Sequence, residues 1–222
     1  MLVWPLYSRA RLAYKLILGK AITDNMNANV NNHSAAFGWI GILAVTAFCV
    51  MWLMCYLADS SWTWGTNTLG DFGISATAAA DYFNYGMIIV GMALAVYGLG
   101  KTQSCSVVSR VGGNLIALGG VAIALVGITT VDAPQADYHK LVALVGFFLL
   151  VLGLLLASVQ RYLEGKVLAV GIAIVAFIVM FFATTQYGYA EGQAYALIVV
   201  AIWGLVDAIF MITDGLKGAE AQ

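Results

Sequence analysis

The sequence predicts an all-α polytopic membrane protein with six transmembrane helices, and three observations carry that expectation. Six apolar stretches are each long enough to cross a hydrocarbon core of about 30 Å. Sixty-two per cent of the residues are hydrophobic and nine per cent are charged, too little polarity to clothe a water-soluble surface. Segments such as Val167 to Phe182 are apolar on every side, without the alternation a barrel strand would show. In lipid, that leaves helices to satisfy the backbone.

Residues 1–35 read as an amphipathic helix followed by a polar connector. Leu6, Ala13, Leu16 and Ile17 share a face opposite Arg11 and Lys15, as for a helix lying at headgroup level, and the Asn-rich stretch Asn25 to Asn32 leads into the first span. The basic residues interrupt the apolar run and no small-residue cleavage site follows, so a signal peptide is not expected. The spans are expected near 36–58, 82–100, 109–131, 140–160, 166–185 and 193–213, a transmembrane domain of 36–213, with a tail at 214–222. Arg9, Arg11, Lys15, Lys20, Lys101, Arg110, Arg161, Lys166 and Lys217 fall on one side, while Lys140 and six acidic residues fall on or beside the other. Basic residues are retained on the cytoplasmic side of short loops, so both termini are expected there, in a plasma membrane. The net charge of −1 points to no nucleic-acid partner.

Cys49 and Cys55 lie in the first span, on different helix faces, and Cys105 lies in a cytoplasmic loop, so no disulfide framework is expected. Glycine is more informative. Gly91 and Gly98 are seven residues apart in the second span, Gly113, Gly120 and Gly127 in the third beside Gly112 and Gly119, and Gly146 and Gly153 in the fourth. Close backbone contact drives helix association in lipid, and a repeat of seven keeps small residues on one seam, so spans two to four are expected to form a hub. The fifth span, with Val, Ile and Phe on all sides, is expected outermost. Neither proline, Pro5 nor Pro134, interrupts a span, which argues against the broken helices of many transporters.

Three places could carry chemistry. Asp207 is the carboxylate well inside a span, either a proton or cation site or one half of a pair with Arg110 or Asn114. The long connection Asp59 to Ala80 carries Trp62, Trp64, Asn67, Asp71 and Ser75. The third connection adds Asp132, Pro134, Asp137 and His139. If these two loops meet, Asp71, Asp132 and His139 would be candidate catalytic or cation-binding groups, with Asn84 an orienting amide. One histidine on that side does not make a catalytic zinc site, and no metal or other cofactor is expected. No HExxH, GxSxG or P-loop motif occurs.

The run Asn67-Thr-Leu-Gly-Asp-Phe-Gly-Ile-Ser75, then Ala80-Asp-Tyr-Phe-Asn-Tyr-Gly86 opening a helix, resembles the outer loop and second helix of a prokaryotic six-helix membrane family of unknown function, DUF998. Val131-Asp-Ala-Pro134 with His139 resembles that family's acidic, proline-containing turn and its histidine. Gly70 stands where the family commonly has serine, and Lys140 where it commonly has an apolar residue. The resemblance implies a distant similarity to eukaryotic autophagy-modulator and lipid-anchor-remodelling membrane proteins, hence lipid handling. The expectation is an accessory or structural subunit, packing through its glycine seams against other membrane subunits or further copies of itself and holding membrane lipid. The alternatives are a lipid-processing enzyme or lipid-binding protein with the Asp/His site, and a proton-coupled transporter through Asp207.

Overall fold

The computed structural model describes residues 34–104, 106–132, 134 and 136–220. The amphipathic start, the Asn-rich connector and Cys105 lie outside the described residues. The described residues are 83% helical, with no strand among them, and they contain six helices long and apolar enough to cross a membrane. In chain order they are α1 (Ser34–Ala58), α2 (Ala79–Lys101), α3 (Val107–Val126), α4 (Ala136–Leu163), α5 (Val167–Gln186) and α6 (Tyr189–Glu220).

The boundaries differ from expectation where polar groups find partners. Helix α3 stops at Val126, five residues early, where Gly127 caps it and its N–H bonds to Ala124 O and Leu125 O. Helix α6 runs on through the segment expected as a tail, and Asp214 on that extension is paired with Arg161 and Lys166. A helix can leave the hydrocarbon without ending when its polar side chains are engaged.

The glycine seams are made within the chain. A Cβ built on Gly91 would lie 2.3 Å from Ala124 N and 2.5 Å from Gly120 O, and one on Gly98 would lie 2.4 Å from Ala117 N and 2.6 Å from Gly113 O. Helices α2 and α3 are antiparallel, so positions seven apart on one face positions seven apart on the other in reverse order. The next step along the same seam sets Gly127 against the backbone oxygen of Asn84, 2.2 Å from a hypothetical Cβ. One residue round α3, Gly112 and Gly119 repeat the arrangement against Gly153 and Gly146 of α4. Backbones this close exclude any side chain, which is what the hub required.

Helix α5 presents Ala169, Ala173, Ala176, Met180 and Ala183 inward and exposes Ile174, Phe177, Phe181 and Phe182. That inward stripe at three- and four-residue spacing was concealed in sequence by the helix's uniform hydrophobicity. Helix α1 buries Gly41, Ala44, Met51 and Cys55, and its Gly41 and Gly38 approach Tyr97 of α2 and Ala208 of α6.

The 59–78 connection is folded rather than loose. Trp62 stacks on Phe72 at 4.9 Å, donates its indole N–H to Thr68 O and is buried, so it is a core residue of the loop and not an interfacial anchor. Trp64, more exposed, stacks on Trp52. A short 3-10 helix, Leu69–Ile74, lies across one end of the bundle, and Leu69 N–H donates to Gln193 Oε1 of α6.

Candidate functional site

A cavity of about 340 Å³ runs through the centre of the bundle, walled by α1, α2, α3, α4 and α6. Its lining is nearly all apolar, including Phe48, Phe83, Met87, Val90, Ile123, Phe147, Leu150 and Val200. Helices α4 and α6 are joined by a buried bond from Trp203 Nε1 to Ser158 Oγ, 3.0 Å, while Ala143, Phe147, Ala196 and Leu197 of the same two helices line the space. At the end beneath the 3-10 helix, the exposed residues Lys140, Leu144, Thr184, Gly188 and Tyr189 form a mouth between the first turns of α4 and the α5–α6 turn.

His139 stands at this mouth end. It is 6% exposed, and its Nδ1 lies 2.6 Å from Thr129 O. A carbonyl can only accept, so Nδ1 carries a proton and donates it to Thr129 O, leaving Nε2 as the ring's remaining polar atom. Nε2 faces Gly70 closely enough that a Cβ there would be 2.9 Å away, and the same Cβ would touch Val131. The two loops therefore do meet, at Gly70, Val131 and His139.

Their carboxylates turn elsewhere. Asp71 Oδ2 accepts from Thr68 N–H at 2.7 Å, and Asp132 Oδ1 accepts from the Thr130 hydroxyl. Asn84 donates to Gly73 O at 3.1 Å, and its buried Oδ1 has no partner. Asp59, which the sequence did not single out, organises the loop by accepting from Ser61 N–H, Ser61 Oγ and Ser75 Oγ at 2.5–2.9 Å. The hydroxyls of Ser61 and Ser75 and the Ser61 amide hold its carboxyl below the ordinary carboxylate value. Among the described residues, no three His, Cys, Asp or Glu side chains are grouped as a metal set.

At its other end the cavity is closed by Tyr97, whose hydroxyl donates to Asp207 Oδ2 at 2.6 Å. Lys101, one turn on, donates to the same oxygen at 2.6 Å and is 6% exposed. Arg161 Nε lies 3.9 Å from Asp207 Oδ1 and bonds Asp214, which also takes Lys166 at 2.5 Å. Asp207 is thus paired, but with Lys101 and Arg161. Arg110 and Asn114 are both exposed. Tyr97 and Lys101 are spaced i, i+4, the signal that could have shown they meet one partner. Lys101 had looked like a loop-flanking charge. Beyond the cluster, burial pushes the Glu164 carboxyl up, but hydrogen bonds from Gln160 and Lys166 and the Arg161 charge bring it below its ordinary value.

Six apolar helices around a central cavity open at one end define an integral membrane protein. The chain belongs to the family described as protein of unknown function (DUF998), whose model matches residues 42–213. Among curated proteins and among solved structures, no match to the chain was found.

Proposed function

We propose that this membrane protein binds lipid by taking an acyl chain into the centre of its own bundle. The cavity is the observation that carries this reading. Its volume lies within the range of small-molecule sites, and apolar cavities do not fill with water. Where such apolar space is enclosed, leaving it empty costs stability in proportion to its volume, because its lining loses packing contacts. An apolar occupant offsets that cost, and lipid chains are the apolar material at hand.

The accessory-subunit reading relied on glycine seams open to partner helices, and those glycines are occupied by contacts among α2, α3 and α4. Enzymatic use of Asp71, Asp132 and His139 needs convergent groups, whereas both carboxylates are held within their own loops. Proton-coupled transport through Asp207 needs a polar route, and the space between Tyr97 and His139 is apolar. Lipid binding is favoured over all three. Residence in the plasma membrane with the end bearing Lys101, Arg161, Lys166 and Lys217 in the cytoplasm belongs to the same reading, because cations are retained there.

Native mass spectrometry of the protein released gently from its own membrane tests this. The wild type should carry non-covalent lipid mass. Ala196→Phe, which fills the cavity from the buried wall of α6, should release it. A lipid-free wild type, or lipid retained undiminished by Ala196→Phe, would overturn the proposal.

A further inference from the structure

The two ends of the cavity offer different chemistry, and this orients the occupant. At the closed end Tyr97 turns its hydroxyl away into Asp207, leaving its ring to the cavity and no polar anchor. At the mouth stands Lys140, exposed, the sole charged side chain on the lining among the described residues. Beside it Gln193 gives its Oε1 to Leu69 N–H, which leaves the amide NH2 as a donor. His139, buried and bound to Thr129 O through Nδ1, keeps Nε2 as a polar atom for a head group. An ammonium and an amide donor fit an anion, and the imidazole nitrogen fits a hydroxyl.

The length fits an acyl chain. From Phe83 to Tyr97, both on the lining, α2 rises about 21 Å, so the apolar lining is long enough to run beside an extended acyl chain. That length exceeds the roughly 15 Å of one leaflet's hydrocarbon.

We infer that the site takes an acyl chain of an anionic lipid, such as a fatty acid or a lysophospholipid, with its head at Lys140, Gln193 and His139 and its tail toward Tyr97. This rests on the acyl-binding reading above. The test titrates the purified full-length protein with oleate, oleoyl-lysophosphatidylglycerol and oleoyl-lysophosphatidylcholine and reads bound lipid by native mass spectrometry. At least one anionic probe should bind about tenfold tighter than the choline lipid, and Lys140→Gln should remove most of that difference. Preference for oleate would identify a free fatty acid as the source, and preference for the glycerol lipid a phospholipid; either supports the inference. Equal affinity for all three, unchanged by Lys140→Gln but abolished by Ala196→Phe, would overturn the head-group assignment and leave acyl binding standing. Binding that survives Ala196→Phe would overturn both.

Discussion

Asp207 illustrates how much one side chain's meaning depends on its neighbours. A lone carboxylate in a span reads as a functional site, yet Lys101, Tyr97 and Arg161 converge on it from two other helices. Its removal leaves a buried ammonium without a counter-charge. Asp207→Ala should therefore cost about 3–5 kcal/mol, seen as a lower unfolding temperature in detergent, and adding Lys101→Met to Asp207→Leu should recover most of it. Asp59 gives a pH dependence of known sign. Its folded value is depressed below the roughly 3.9 of an unperturbed aspartate, so its contribution is complete above that value and lost as the pH falls through the lower, folded one. Fluorescence of Trp62, stacked on Phe72 in the same loop, should change in that acid range, and Asp59→Asn should abolish the step. Of these residues the sequence exposed Asp207 and His139, because both are anomalous in apolar surroundings. It concealed their partners, since Lys101 and Thr129 are ordinary at helix ends.

Elements were more legible than side chains. Hydropathy placed every span, and the sevenfold glycine spacing identified the α2–α3–α4 contacts, because in lipid the shape of a helix surface is nearly all that decides its neighbours. The ends were less legible, since α3 stops at a capped Gly127 and α6 continues on the ion pairs of Asp214, and neither is a matter of hydropathy. Glycines of equal composition should respond unequally. Gly91→Ala forces a methyl group to within 2.3 Å of backbone and should lower stability by about 1–3 kcal/mol. Gly171→Ala on α5 meets nothing within 4 Å and should be neutral or stabilising by up to about 1 kcal/mol. Thermal unfolding of the two variants in the same detergent checks the contrast.

For the molecule as a whole, the class of fold was legible and the cavity was not, because a void is a property of five helices at once and leaves no local pattern. Even Ala143, Ala196 and Ala201, which make room for it, read as ordinary membrane-helix alanines. Sidedness can be tested on the intact cell. A cysteine at Thr66, exposed in the long loop, should react with a membrane-impermeant maleimide from outside, and one at Lys217 should react only after lysis. The doubled seam of α3 has a consequence for how the chain tolerates change in length. Gly113 and Gly120 face one neighbour while Gly112 and Gly119 face the other, so one inserted residue between Ile116 and Ala117 would turn half the helix by about 100° and misalign both contacts together. Substitutions can accumulate on this helix's outer side one at a time, but its residue count between the glycines is locked by two partners at once.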